Sequence, residues 1–434
     1  MKKSFTAVLF SLLLLNVITF AQSKKAYILS EGGFSSGSSK LSMYSISQNQ
    51  FIQNIFTPGN LGLYPDGLLF YDNFLYLLEQ GNYGGAGKIY RLDTNGAVQS
   101  SFSFGTNPYS LAAANSKIYA TNGPTGKVSV LNINSFNVIK EITVGVYPQE
   151  ILAVNNLVFV CNTSMYGGQK DSTVSVINAT NDSVIAVITV HKDPSSLAVS
   201  KDGKLLIGCP GSGGKIFKVD MNTFQKTDSI AVSSGFDKDI SVDRNTGNIY
   251  FINYSNGISY CDFSNHQTVN VITNPNPATM YFYGYNYDYT NNKHLIADAK
   301  DFIVNGSLYV YNASGTMENS FTTGIAPRRI IFNVQQSVPV NEISEIVKGF
   351  ELYQNFPNPF NPSTSIRFSL LKQNNVELTV YDAAGKEVSV LLNGTRKAGT
   401  YEYKFDAGKL SSGIYFYKLS TESQSVVKKM MLIK

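Results

Sequence analysis

Short apolar runs separated by turns rich in Asn, Asp and Gly fill most of the chain. In one stretch the runs are 151–154, 157–161, 173–178 and 184–190. Runs of this length that are rich in Val and Ile and bounded by turn-forming residues predict β-strands, and they do not follow the 3.6-residue period of a helix. The pattern therefore predicts an all-β protein.

This group of four strands recurs along residues 25–334 with a period of about 40 to 46 residues. A proline marks the start of five of the copies, at Pro65, Pro108, Pro148, Pro194 and Pro327. Four strands in such a period predict one blade of a β-propeller, and seven copies fit. The copy at 274–292 departs from the pattern, so six blades plus an irregular insert is the alternative to seven.

The repeats resemble the YVTN family of propellers in two of their segments. The matches are the G-x-x-P openings Gly105/Pro108 and Gly145/Pro148, and the third strands VSVLN at 128–132 and VSVIN at 174–178. The resemblance implies a propeller over residues 22–334. It also implies corrinoid capture as one version of a binding function, because some YVTN-like surface propellers do this, but it does not name the ligand.

The repeat ends and the residue composition changes after residue 334. A polar stretch with one proline predicts a linker at 335–349. Strands with alternating apolar and polar positions follow, and they predict a small Ig-like β-sandwich at 350–434.

This C-terminal segment closely resembles the type A C-terminal sorting domain of the Por (type IX) secretion system. The residues that carry the sorting signature are Pro357, Asn358, Pro359, Phe360, Asn361, Pro362, Gly385, Gly413, Tyr415, Lys428 and Lys429. The resemblance implies passage across the outer membrane of a Gram-negative cell by the type IX machinery, removal of the tail, and release or attachment at the cell surface.

The N-terminus predicts a secretory signal peptide at 1–21. Lys2 and Lys3 precede an apolar run at 7–20, and small Ala21 follows it. The run is shorter than the roughly 20 residues of a membrane span, and the rest of the chain predicts no transmembrane segment.

Charge and cysteine content narrow the functions further. The net charge of +5 is spread along the chain rather than gathered on one face, which argues against nucleic-acid binding. Cys161 and Cys209 end the second strand of adjacent predicted blades. They are either a disulfide between blades or two small buried residues, and the sequence leaves both open.

Candidate ligand-binding residues are those that the repeat places around the channel on the face where each first strand begins. They are Tyr64, Asp66, Tyr83, Tyr109, Asn122, Tyr147, Glu150, Asn162, Tyr166, Asp237, Lys238 and Arg328. Tyrosine offers a flat apolar ring with a hydrogen-bonding tip, which suits glycans, planar cofactors or protein loops. The alternative is that a tyrosine before a marker proline only packs one blade against the next.

The sequence favours a surface binding module over an enzyme. It contains three histidines, His191, His266 and His294, and identifies no catalytic residue, no metal ligand and no cofactor. Two alternatives stay open: a lactonase- or lyase-like enzyme with a metal at the central channel, and a structural or adhesive protein of the cell envelope. The predicted partners are the type IX machinery and an unidentified surface ligand or protein.

Overall fold

The computed structural model describes most of the chain in two compact units. The described residues are 24–33, 35–58, 67–333, 350–355, 357–370, 373–396, 399–408, 410–421 and 424–433. The predicted signal peptide and the linker at 335–349 lie outside them, so those boundaries stay predictions.

The first unit contains seven four-stranded antiparallel sheets. In chain order, blade 1 holds β1 (Lys25–Ser30), β2 (Lys40–Ser45) and β3 (Gln50–Phe56); blade 2 holds β4 (Gly67–Tyr71), β5 (Phe74–Glu79), β6 (Gly87–Leu92) and β7 (Val98–Phe104); and blade 3 holds β8 (Pro108–Ala114), β9 (Lys117–Asn122), β10 (Lys127–Asn132) and β11 (Val138–Thr143). Blade 4 holds β12 (Pro148–Val154), β13 (Leu157–Asn162), β14 (Thr173–Asn178) and β15 (Ser183–Thr189); and blade 5 holds β16 (Ser196–Val199), β17 (Leu205–Cys209), β18 (Gly214–Val219) and β19 (Lys226–Val232). Blade 6 holds β20 (Phe236–Val242), β21 (Ile249–Asn253), β22 (Ile258–Cys261) and β23 (Thr268–Ile272); and blade 7 holds β24 (Phe282–Asp288), β25 (Lys293–Asp298), β26 (Asn305–Asn312) and β27 (Met317–Ile325).

The last strand of the unit closes the ring. Strand β28 (Pro327–Phe332) pairs antiparallel with β1, so that Ile330 lies opposite Ile28, and it becomes the innermost strand of blade 1. Each innermost strand contacts the next, from β28 through β4 and onward to β24, which contacts β28 again. The predicted seven-bladed propeller is confirmed. The alternative of six blades is wrong, because the divergent stretch at 274–292 contains β24 of a complete blade.

Aromatic side chains join neighbouring blades from the third position of the second strand. The Tyr27 hydroxyl donates to the Thr94 carbonyl at 3.0 Å, and the Tyr119 hydroxyl donates to the Asp182 carboxylate at 2.5 Å. Both tyrosines are fully buried, and burial raises the pKa of Tyr27 to about 12. Phe159 fills the same position in blade 4. The core therefore lies between the blades rather than at the central channel.

The outermost strand of every blade is irregular. In all seven blades the pairing register shifts between the third strand and the fourth, for example between Val176 and Ile177 where β14 meets β15. Such a β-bulge bends the strand and increases its local twist.

The second unit is a β-sandwich, as predicted. Its strands are β29 (Glu351–Leu352), β30 (Ser363–Leu370), β31 (Asn374–Asp382), β32 (Glu387–Arg396), β33 (Gly399–Asp406), β34 (Gly413–Ser420) and β35 (Ser425–Leu432). They form sheets in the orders β29-β30-β33 and β32-β31-β34-β35. Apolar side chains from both sheets, among them Phe368, Leu378 and Tyr417, fill the space between them and are fully buried.

Candidate functional site

The top face of the propeller is the face on which the innermost strands begin. Because each blade is antiparallel, the second strand ends and the third strand begins on this same face. The bottom face is the opposite one, where the innermost strands end. The twelve candidate residues were selected for the top face.

Charged side chains from opposite blades meet across the channel near the top face. Glu150 is the third residue of β12 in blade 4, and Arg329 is the third residue of β28 in blade 1. The Arg329 Nη2 atom donates to Glu150 Oε2 at 2.9 Å, and the Ser110 hydroxyl donates to Glu150 Oε1 at 3.3 Å. This contact bridges blades that are not neighbours in the ring.

Two further contacts lie beside this pair. Arg328 of blade 1 forms an ion pair with Asp239 of blade 6, and the Lys238 ammonium lies 4.3 Å from the ring centroid of Tyr109 in blade 3. Burial alone would raise the pKa of the Asp239 carboxyl, but the charges of Arg328, Arg329 and Lys238 outweigh it and lower the pKa below its ordinary value. We call Tyr109, Glu150, Lys238, Asp239, Arg328 and Arg329 the cross-channel cluster.

Four of the twelve candidates therefore come together. Tyr109, Glu150, Lys238 and Arg328 belong to the cross-channel cluster, and the Asp237 carboxylate accepts the Lys238 backbone N–H at 2.9 Å beside it. Tyr64 and Asp66 lie outside the described residues.

Asn122 and Asn162 require a correction, because the structure buries both inside their blades. The Asn122 side chain accepts the Thr106 N–H at 3.0 Å and donates to the Ser129 hydroxyl at 2.9 Å. Asn162 makes the equivalent bonds in blade 4, accepting the Gly145 N–H at 3.1 Å. These amides tie the start of each blade to its inner strands, so they are not available to a ligand.

The remaining tyrosine candidates differ in exposure. Tyr83 is 79% exposed and Tyr166 is fully exposed, both in connections between second and third strands. Tyr147 is half-buried and packs its ring close to Gly123 of the preceding blade. Its burial raises its pKa. For Tyr147 the structure thus shows the inter-blade packing that was the alternative to a ligand contact.

The top face also carries aromatic residues that the sequence analysis missed. Tyr254 and Tyr281 are exposed there, and the Phe302 ring centroid lies 5.6 Å from that of Tyr281 and 4.9 Å from that of Tyr283. Phe302 begins an exposed apolar run, Phe302 to Val304, inside a polar turn. Such a run in a predicted turn is the sequence feature from which these residues could have been identified.

A cavity of about 530 Å³ occupies the channel below the cross-channel cluster. All seven innermost strands line it, from Glu150 and Arg329 at the top to Asn155 and Phe332 at the bottom. Within the described residues no three His, Cys, Asp or Glu side chains come close enough to hold a metal ion. Cys161, Cys209 and Cys261 are free thiols, all buried.

In the sandwich, the sorting signature holds the last strand in place. Phe360 is buried in the core, its N–H donates to the Met431 carbonyl at 2.9 Å, and its carbonyl accepts the Ile433 N–H at 3.0 Å. The Asn358 side chain accepts the Met431 N–H at 2.8 Å, and the Pro357 carbonyl accepts the Thr364 hydroxyl at 2.8 Å. The proline-rich segment thus runs beside β35.

The other signature residues lie in turns and strands around this segment. The Pro362 carbonyl accepts the Ala407 N–H at 2.9 Å, and the Tyr415 hydroxyl donates to the Ser411 carbonyl at 2.8 Å. Gly385 has φ +81° in the turn after β31, which favours glycine. The residues left exposed on the surface are Pro357, Asn358, Pro359, Asn361, Pro362, Gly385, Gly413 and Lys429, while Lys428 is half-buried.

Residues 354–434 match the family model described as the secretion system C-terminal sorting domain. This confirms the resemblance and, with it, export through the type IX system to the cell surface or extracellular space. No curated protein sequence matches the chain significantly. Among the described residues no helix has the length and apolar character needed to cross a membrane.

Solved structures similar to this chain confirm the propeller. A quinonprotein alcohol dehydrogenase-like protein from Bacteroides thetaiotaomicron is 15% identical with a TM-score of 0.58, over 72% of this chain and 78% of that chain. Kuenenia stuttgartiensis hydrazine synthase is 13% identical with a TM-score of 0.50, over 60% and 87%. The Neurospora crassa Pan2 WD40 domain is 12% identical with a TM-score of 0.50, over 63% and 82%. At such identities the likeness shows the fold alone.

Proposed function

We propose that this protein, which the type IX system exports to the cell surface or extracellular space, works there as a binding module. The top face of the propeller holds the ligand, which is an extended partner such as a glycan chain or a protein surface. The signal peptide at 1–21 and a propeller of YVTN type are parts of the same proposal. They rest on the apolar N-terminal run and on the G-x-x-P openings.

One observation carries the proposal. Every exposed tyrosine or phenylalanine side chain among the described residues lies on the top face, and these residues are Tyr83, Tyr166, Tyr254, Tyr281 and Phe302. They come from blades 2, 4, 6 and 7, so they surround the channel rather than form one local patch. Aromatic residues are enriched at protein interfaces, where they supply large contact area at low entropic cost.

The turn that presents Phe302 is ordered before any ligand arrives. The Asp301 carboxylate accepts the N–H groups of Ile303 and Val304 at 2.9 and 3.0 Å, and the Lys300 ammonium donates to the Asn305 carbonyl at 2.9 Å. A preorganised surface loses less conformational entropy on binding than a mobile one does. This supports a role in recognition for the turn.

The test measures binding of the purified exported protein to a glycan array and to intact cells of the species that live alongside the producing bacterium. The triple substitution Tyr83→Ser, Tyr166→Ser and Tyr254→Ser removes rings from three blades. We expect it to weaken binding at least about tenfold, because tyrosine is enriched among hot-spot residues, and losing one hot spot of about 2 kcal/mol already exceeds the roughly 1.4 kcal/mol of a tenfold change.

The matched control removes three exposed apolar side chains from outermost strands, by Val98→Ser, Ile139→Ser and Val187→Ser. It should bind like the wild type. The proposal is overturned if both triple variants lose binding equally, or if the tyrosine triple variant binds like the wild type.

A further inference from the structure

Charged and aromatic side chains cross the channel at the top end of the cavity. The Glu150–Arg329 pair spans blades 4 and 1, and Lys238 meets Tyr109 between blades 6 and 3, so both contacts cross the channel. The residues that line the cavity begin at the level of Glu150 and continue toward the bottom face. A molecule bound in the cavity therefore lies on the bottom side of the cross-channel cluster.

The bottom end of the cavity reaches the surface. Asn115 and Asn155 directly follow the innermost strands of blades 3 and 4, line the cavity and are exposed. Their side-chain amides make no hydrogen bond to the described residues. Each offers two donors and an acceptor at the cavity mouth.

Six blades contribute one side chain each to this mouth. All six residues end an innermost strand or follow it by one or two positions, and we call them the mouth ring: Tyr71, Asn115, Asn155, Arg244, Tyr289 and Phe332. Arg244 lies with its guanidinium carbon 5.8 Å from the Tyr289 ring centroid. The mouth ring therefore combines flat aromatic surfaces with amide and guanidinium groups.

The cavity is lined by charged side chains of both signs. Arg329 is paired with Glu150 at the top end. At the mouth, Arg244 directly follows Asp243 in the chain, and Asp288 lines the cavity as Arg244 does. These carboxylates accept hydrogen bonds inside their own turns, such as the Asn245 N–H to Asp243 at 2.9 Å. The charged side chains that line the cavity are thus of both signs, three carboxylates and two guanidinium groups, and Asp239 among them is paired with Arg328.

We propose that the cavity and its mouth ring bind a small neutral saccharide of about two sugar units, entering from the bottom face. A pyranose ring has an apolar C–H face that packs on tyrosine or phenylalanine, and hydroxyls at its edge that pair with amide and guanidinium groups. A cavity of about 530 Å³ lies within the range that small ligands occupy. This site is separate from the top face and does not depend on the proposed function.

The experiment uses the purified exported protein with four neutral disaccharides: cellobiose, lactose, maltose and chitobiose. Glucuronic acid and glucosamine are the charged comparisons. At about 10 mM, at least one neutral disaccharide should raise the unfolding temperature of the propeller, and titration calorimetry should give its affinity. Tyr289→Leu and Asn155→Gly should each weaken that affinity about tenfold.

Asn155→Gly keeps the turn intact, because Asn155 has φ +54° and glycine adopts this conformation readily. This variant therefore still tests the mouth ring if Tyr289→Leu does not fold. Tyr254→Leu on the top face is the matched control and should leave saccharide affinity unchanged. The proposal is overturned if no neutral disaccharide binds, if a charged sugar binds more tightly, or if Asn155→Gly binds like the wild type. Saccharide affinity lost in Tyr254→Leu but kept in the mouth variants would place binding on the top face instead.

Discussion

Truncating Phe360 to alanine should lower the stability of the sorting domain while leaving that of the propeller unchanged. The ring is 3% exposed and lies 6.2 Å, centroid to centroid, from Phe405 in the sandwich core. The substitution keeps both backbone hydrogen bonds to β35 and empties the ring's place between the sheets. The effect is therefore one of lost packing.

The magnitude follows from the burial. Replacing a fully buried phenylalanine by alanine costs about 3–5 kcal/mol. A domain of about 80 residues has a free energy of unfolding of about 4–12 kcal/mol, so the variant loses a large share of it. For this size each kcal/mol corresponds to about 4–8 °C, and the domain should unfold at least about 12 °C lower than in the wild type.

The assay is differential scanning calorimetry of the full chain purified before export, combined with the fraction of protein that reaches the medium or the cell surface. We expect the sandwich transition to move, the propeller transition to stay, and export to fall. Because Met431 is exposed beside Phe360, Met431→Ala is the control and should leave transition and export near wild type. If Phe360→Ala unfolds within about 2 °C of Met431→Ala, the packing argument is wrong.

Two further substitutions test the propeller. Burial lowers the pKa of His294 to about 4, below its ordinary value near 6.5, so its neutral form contributes stability that is complete above about pH 6.5 and is lost as the pH falls toward 4. His294→Gln should remove about 3 kcal/mol of that pH dependence in urea titrations, and an unchanged pH profile would contradict the assignment. A Cβ at Gly87 would lie 2.3 Å from Pro108 Cγ and 2.4 Å from the Glu79 carbonyl oxygen, so Gly87→Ala should cost about 1–3 kcal/mol by thermal unfolding. Gly33→Ala is the control, because its Cβ would meet its nearest neighbour at 3.6 Å, and it should leave the free energy of unfolding almost unchanged. Equal losses of stability in the two variants would refute the close packing of Gly87 against Pro108 of the next blade.

The propeller was predictable because each blade repeats the same local sequence pattern. Strand-length apolar runs, turn residues and marker prolines such as Pro108 and Pro148 recur with one period, and both prolines begin an innermost strand in the structure. The sandwich was predictable for a related reason, since alternation in strands such as β31 shows which face is buried. Local pattern is sufficient where neighbouring residues decide the structure.

The candidate site was predictable only in part, because its contacts join residues far apart in the chain. The sequence placed Glu150 and Arg328 on one face, but the partner of Glu150 is Arg329, the next residue along. Only the strand register, set by pairing with β1, decides which of two adjacent arginines reaches Glu150 and which reaches Asp239. Asn122 was misplaced for a similar reason, since a strand-end position does not reveal that the side chain turns inward.

The bulge in the outermost strand of every blade bears on how densely this protein can be displayed. A seven-bladed propeller has seven free sheet edges. A flat edge can form backbone hydrogen bonds with a strand of another molecule through its unpaired N–H and C=O groups. Blade 4 would be the most exposed to this, since Val184, Ile185 and Val187 of β15 face solvent without a charge between them. The register shift at Val176 and Ile177 interrupts that edge, so a neighbouring molecule could pair with only a few residues before the strands diverge. Copies crowded together outside the cell could then stay individually folded and avoid growing into a shared sheet.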